Sequence, residues 1–373
     1  MTTFARTDTS VIGQWWWTVD RWTLAALACI IGIGAVLILA ASPAVATRIH
    51  LDNYHFVKRQ LAMLPLAFAI MFGMSLMSPV AVRRFATIGM LVGLGLLALT
   101  LIAGAEIKGA RRWISLGGFS LQPSEFVKPC FAVFAAWMFA EQRKGVGFPG
   151  NLVAIALYAV VVGLLLVQPD LGMAVVLSAM WFAQFFLAGL PMFLVVAFGL
   201  LGAVGLVGAY FTFPHVASRI DRFLDPASGD SFQVERSMEA FMNGGLWGRG
   251  PGEGTIKAVI PDAHADFIFA VAGEEFGLFT CLIIVSLFAF VVLRGLSRLF
   301  QETDFFVLLA ATGLIIQFGL QALINMASTL HLMPTKGMTL PFISYGGSSL
   351  LALAMGMGML LALTRRRYGG GEL

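Results

Sequence analysis

Apolar residues recur along this 373-residue chain in blocks of membrane length, broken by short polar or Pro/Gly connectors such as Ser78-Pro79 and Ala188-Gly189-Leu190-Pro191. The blocks lie near 22–42, 58–78, 82–104, 123–141, 150–168, 170–188, 190–213, 265–294, 304–330 and 341–364. A run of about 20 apolar residues crosses a ~30 Å hydrocarbon core as a helix. The pattern therefore predicts an all-α integral membrane protein with about ten transmembrane helices over residues 22–364. An N-terminal segment 1–21 and a tail 365–373 flank it, and one long extracytoplasmic loop, 214–264, separates helices seven and eight. The first run is membrane-length and preceded by polar and aromatic residues, so it reads as a retained span. Trp15, Trp16, Trp17 and Trp22 suit an interfacial aromatic belt.

The interval from Pro214 to Gly277 carries most of the remaining polar pattern. Asp230-Ser231-Phe232-Gln233 reads as a helix start, and Val234, Met238, Phe241 and Met242 follow at helical spacing, predicting an amphipathic helix on the membrane surface. Gly248 to Gly254 is glycine-rich, either a linker or a phosphate cradle, without the Walker pattern. The interval closes on Ile260-Pro261-Asp262-Ala263-His264-Ala265-Asp266, where polar chain meets another apolar run. A carboxylate at that boundary is costly unless a partner, a cavity or a reaction uses it, which makes Asp266 the first candidate for chemistry. A helix beginning near Pro261 would place Asp262 and Asp266 on one face.

Composition agrees: 59% of residues are hydrophobic and 12% charged, far from a soluble domain. Cys29, Cys130 and Cys281 sit in apolar runs without CxxC spacing and read as packing residues. The five histidines are scattered, so zinc chemistry has no support, and nothing indicates nucleic acid. An even number of spans puts both termini on one side, with Arg83, Arg84, Arg143, Lys144, Arg294, Arg298 and Arg365 to Arg367, predicted to be cytoplasmic. The opposite side still holds Arg48, Lys108, Arg111, Arg112, Arg219, Arg222, Arg236, Arg249, Lys257 and Lys336. Either an anionic substrate or lipid holds them there, or they pair with outer carboxylates such as Asp221, Asp225, Asp230 and Glu253.

Further polar clusters fall at the outer helix ends. Lys108 to Trp113 precedes Gln122-Pro123-Ser124-Glu125 and Lys128, where Ser124 is expected to cap the fourth helix and Lys128, one turn in, needs a carboxylate or an anion. Asp170 after Gln168-Pro169 reads as a helix cap. Lys336 leads to Ser344-Tyr345-Gly346-Gly347-Ser348-Ser349, where small residues permit close packing. Glu274 and Glu275 stand in an apolar run, and at least one should meet a cavity or a cation.

In order, Lys108 to Ile114, Gln122 to Lys128, Gln168 to Gly172, Arg219 to Pro226, Pro261 to Phe269, Glu274 to Gly277 and Pro334 to Ser349 resemble the SEDS family of bacterial cell-wall polymerases. Pro334-Thr335-Lys336-Gly337 and Gly250 to Gly254 lean to its cell-division branch; Ala265 and Phe232 depart from its usual Thr and Tyr. The resemblance implies a ten-helix fold and a glycosyltransferase that polymerises lipid II in the bacterial inner membrane at the septum. A class B penicillin-binding protein transpeptidase and other divisome membrane proteins are its implied partners. It places the catalytic aspartate on Asp266 and important side chains on Glu125 and Lys128. As the reading of the residues has it, Asp266 is a general base. The substrate-binding candidates are Lys108, Arg111, Arg112, Glu125, Lys128, Lys257, Lys336 and Ser344, with or without a divalent cation. Two other readings stay open: a lipid II flippase, which a buried Glu–Lys pair also suits, and a scaffold that only recruits a transpeptidase.

Overall fold

The computed structural model describes residues 10–107, 110–117, 119–145, 147–224, 232–334 and 337–366. All ten apolar runs are helices. They are α2 (Arg21–Arg48), α3 (His55–Ser75), α4 (Pro79–Ala103), α5 (Pro123–Arg143), α6 (Gly150–Val167), α7 (Leu171–Leu187), α8 (Met192–Thr212), α11 (Ile268–Leu299), α12 (Phe305–Thr329) and α13 (Gly347–Leu363). The short α1 (Val11–Thr18) precedes them, and α9 (Pro214–Leu224) and α10 (Phe232–Gly244) lie between α8 and α11. Among the described residues, seven helices are long and apolar enough to cross a membrane: α2, α3, α4, α6, α8, α11 and α12. Of the other three expected spans, α7 and α13 are apolar but have 17 residues each. The third, α5, is longer and carries Glu125, Lys128, Glu141 and Arg143.

The helices α5, α12 and α13 form the centre. Every residue of α13 from Ser348 to Leu363 is buried, as expected of a helix that is hydrophobic all round. Its small residues permit that: a Cβ on Gly358 would stand 2.7 Å from the Met71 carbonyl of α3. By contrast α8 packs mainly on α9 and stands almost clear of the bundle. Cys130 and Cys281 are buried as expected, whereas Cys29 lies on the outer face of α2.

Several expectations are corrected. Residues 105–121 form a small antiparallel sheet, β1 (Ala105–Ile107), β2 (Ala110–Leu116) and β3 (Phe119–Leu121), in the order β1-β2-β3. Gly117 there has φ +52°, a turn geometry glycine suits. The amphipathic helix is α10, its predicted start at 230–231 falling outside the described residues, and it also packs against α11. Ser237, Ala240 and Gly244 pack on α11, and Met238 and Met242 stay exposed. Close approach of the backbones decides this, since a Cβ on Gly244 would meet the Gly273 carbonyl at 1.9 Å.

The chain from Gly244 to Gly250 enters a break in α11 at Gly277, which has φ +77° and ψ −175°. Leu278 N donates to Gly245 O (3.0 Å), and Arg249 N and Gly250 N donate to Glu274 O (2.9 Å) and Glu275 O (3.0 Å). The break is stable inside an apolar bundle because the inserted segment satisfies the backbone groups it frees.

The two described ends of the chain meet: Arg366 N donates to Thr18 O (3.0 Å), and Arg365 Nε to Thr18 Oγ1 (3.0 Å). Arg294 and Arg298 converge on Asp20 at the same face, at 2.8 and 2.9 Å.

Candidate functional site

At the opposite face the chain turns from residue 261 to 267 before α11 begins. The expected helix from Pro261 is absent, because Asp262 has φ +54° and Asp266 N closes a turn on Asp262 O at 3.1 Å. Asp262 and Asp266 therefore share a turn rather than a helix face. Asp266 is half-buried. Its backbone carbonyl accepts from Asn325 Nδ2 (3.0 Å), which also donates to Met338 O (2.6 Å). Its Oδ2 lies 3.4 Å from where a Cβ on Gly337 would stand, so the carboxylate faces the 337–346 segment. Gly337 has φ +52°, and both the close approach and that backbone suit glycine.

The 337–346 segment is sewn to the turn. Ser344 Oγ donates to Ala265 O (2.6 Å) and accepts from Leu340 N (2.8 Å), while Tyr345 N donates to His264 O (2.9 Å). Ser344 thus positions the backbone next to Asp266. The His264 ring lies on Phe56, with centroids 4.1 Å apart, and near Tyr345. Burial pulls the His264 pKa down to about 4; nearby Asp262 pulls it up and Arg48 down.

One turn deeper along α12, about 6 Å, Gln321 Oε1 accepts from Lys128 Nζ (3.0 Å). Lys128 also pairs with Glu125 at 2.9 Å, and both side chains are buried. Gln321 Nε2 donates to Thr339 O (3.1 Å), tying the pair to the segment that faces Asp266. Ser124 does not cap α5: Gln122 and Pro123 open that helix, and Ser124 Oγ is buried with no hydrogen-bond partner among the described residues. Asp170 caps α7, its Oδ1 accepting from Met173 N at 3.3 Å. It lies close enough to Glu125 and Lys128 to interact with both electrostatically.

Of the remaining candidates, Arg112 clamps the preceding turn. It donates to Gln168 O (3.0 Å) and to Pro169 O, and its Nη1 is 3.7 Å from Asp170 Oδ1. Arg111 pairs with Glu106 at 3.4 Å near solvent. Lys257 is drawn inward, its ammonium shared between the Glu275 carboxylate and Ala40 O (3.0 Å). The neighbouring Glu274 accepts from Thr255 N (2.8 Å), Ile256 N (2.7 Å) and Lys257 N (2.9 Å), shaping the loop before Asp266. Four of the outer cations, Arg111, Arg112, Arg236 and Lys257, thus pair with Glu106, Asp170, Glu239 and Glu275. The expected partners Asp225 and Asp230, like Lys108 and Lys336, lie outside the described residues. Gln321 and Asn325 escaped the sequence reading; the signal available was the polar series Gln317, Gln321, Asn325 at four-residue spacing in an apolar run. Among the described residues no three His, Cys, Asp or Glu side chains converge as a metal centre.

The chain as a whole has relatives. A protein of Caulobacter vibrioides called "Probable peptidoglycan glycosyltransferase FtsW" is 46% identical over 367 residues, 98% of this chain and 94% of that one. A protein of the same name from Geobacter sulfurreducens is 35% identical over 362 residues, covering 94% and 97%. A solved structure described as "Structural coordination of polymerization and crosslinking by a peptidoglycan synthase complex" superposes with TM-score 0.77 at 28% identity, covering 93% of this chain and 97% of that one. The rod shape determining protein RodA of Thermus thermophilus gives 0.67 at 27% identity, covering 94% and 97%. The profile FTSW_RODA_SPOVE, described as cell cycle protein, matches residues 21–369, and the chain belongs to that family.

Proposed function

We propose that this chain is a peptidoglycan glycosyltransferase that polymerises lipid II into glycan strands during cell division. The observation that carries the reading is the order of the site along α12: Asn325 fixes the half-buried Asp266 through its backbone, and one helical turn away Gln321 holds Lys128 of the buried Glu125–Lys128 pair. The names of its relatives support the reaction class.

In the proposed mechanism Asp266 takes the proton from the acceptor sugar hydroxyl as that oxygen attacks the donor's anomeric carbon. The anomeric C–O bond breaks, and polyprenyl pyrophosphate leaves with the electron pair. Lys128 and Lys336 stabilise the negative charge that develops on it, and Arg111 and Arg112 extend the cationic rim. A single displacement without a glycosyl-enzyme intermediate inverts the anomeric configuration. A divalent cation, where used, would be held by the Asp266 carboxylate and would supply charge neutralisation for the leaving pyrophosphate. In this reading residues 22–364 form the membrane domain with both termini cytoplasmic, the 214–264 loop is extracytoplasmic, and the protein acts at the septum. The crosslinking named for the matched complex supports a transpeptidase partner of the class B penicillin-binding type.

Purified protein in detergent, given lipid II, tests this. Wild type should form glycan strands, and Asp266→Asn should form at least about a hundred-fold fewer with unchanged thermal unfolding. Strands at the wild-type rate from Asp266→Asn would remove Asp266 as the base. No strands from folded, correctly partnered wild type would favour transport or scaffolding instead.

A further inference from the structure

At the face where the chain ends meet, the start of α4, the end of α5 and the start of α12 enclose a cavity of about 300 Å3. About 20 Å along α5, from Lys128 to Glu141, separates it from the Glu125–Lys128 pair. Arg83, Arg143 and Lys144 line it, against Glu141 and Asp304. Both carboxylates are already engaged. Asp304 caps α12, accepting from Phe306 N (2.9 Å) and Val307 N (3.2 Å). Glu141 Oε1 accepts from Trp137 Nε1 (2.9 Å) and Lys144 Nζ (3.0 Å), and Arg83 reaches it only at 3.8 Å. The Arg83 guanidinium lies over Trp137 at 4.8 Å, and that of Arg143 over Phe305 at 4.2 Å. Arg143 has no carboxylate within ion-pair distance among the described residues.

We propose that this cavity binds the phosphate headgroup of an anionic glycerophospholipid from the leaflet at that face. Two guanidiniums held over aromatic rings are pre-organised forks for phosphate oxygens. The cavity's volume suits a headgroup. Val80 lines it, and exposed Ile88 and Leu91 follow farther along the same face of α4, a continuation that offers a path for an acyl chain. That continuation favours a lipid over a soluble phosphate, and basic pockets between membrane helices are suited to such headgroups. The bound lipid fastens together the far ends of α4, α5 and α12, two of which carry the site at their other ends.

The test is a titration of the full-length protein in detergent, read by native mass spectrometry and thermal unfolding. The probes are phosphatidylglycerol, phosphatidylcholine of the same chain length, and inorganic phosphate. Wild type should retain phosphatidylglycerol at least about tenfold more tightly than phosphatidylcholine, with a raised midpoint that falls with salt. Arg143→Ala, exposed and without an ion pair, should keep the lipid-free midpoint and lose most of that preference; Arg83→Gln with Arg143→Ala should abolish it. Equal retention by wild type and Arg143→Ala, or no preference for the anionic lipid, overturns the proposal. Binding of inorganic phosphate as tight as that of the lipid overturns the lipid assignment.

Discussion

Asn325 holds Asp266 by the backbone, donating from Nδ2 to the Asp266 carbonyl at 3.0 Å and to the Met338 carbonyl at 2.6 Å. One buried amide on the central helix thus joins the turn that carries the carboxylate to the segment that the carboxylate faces. Asn325→Leu removes both bonds and leaves two carbonyls short of a donor. At about 1 kcal/mol per bond, the fold should survive. Strand synthesis should drop by about a hundred-fold, because a displacement near 1 Å at a reacting group costs on that order. Strand formation from lipid II, measured beside the unfolding midpoint, separates the two effects.

Glu125 and Lys128 stabilise each other in a buried setting where neither is tolerated alone. Lys128→Met leaves an uncompensated carboxylate and should cost about 3–5 kcal/mol. The double variant Glu125→Gln with Lys128→Met should recover much of that stability and none of the strand synthesis. Recovery of synthesis along with stability would show the pair to be structural only.

The break in α11 depends on Gly277. With φ +77° and a Cβ position 2.4 Å from Leu246 O, Gly277→Ala must move backbone and should lose more than about 2 kcal/mol. Gly199→Ala in α8, where nothing lies within 4 Å, should be neutral or stabilise by about 1 kcal/mol. Thermal unfolding of the two variants side by side gives the comparison.

Burial holds the folded-state pKa of His264 at about 4, below its ordinary 6.5. The unfolded chain therefore binds the extra proton first as pH falls. The neutral ring's contribution to stability is complete above pH 6.5 and is lost progressively down to about pH 4, by up to about 3 kcal/mol. Unfolding midpoints from pH 7 to pH 4 should fall more steeply for wild type than for His264→Phe, which keeps the stack on Phe56 without the titration.

The ten apolar runs located the ten long helices because membrane length and hydrophobicity are local properties, readable without contacts. The sheet at 105–121 was missed although Gly117-Gly118 between two short apolar runs is a hairpin signal. Strand pairing is not local, and basic residues in β2 disguised it. Lys257 reads as an outer cation, but its loop lies against the first turns of α11, where Glu275 takes it up just before the Gly277 break. Nothing in the linear order of these residues shows that the loop re-enters the helix.

By itself the sequence determined the class of molecule, the ends of its long helices to within about six residues, the family, and Asp266, Glu125 and Lys128 as the side chains that need a reason to be where they are. The tertiary structure decided which charges are engaged. It turned Ser344 and Lys257 into internal ties, set Gln321 and Asn325 between the carboxylate and the ion pair, and broke α11 to admit a loop. The reason is that hydrophobic burial is additive along a chain, so periodicity reveals it. A buried polar group is tolerated only with a partner, and that partner is chosen by proximity in space, often a hundred residues or more away in sequence, as Gln321 is from Lys128.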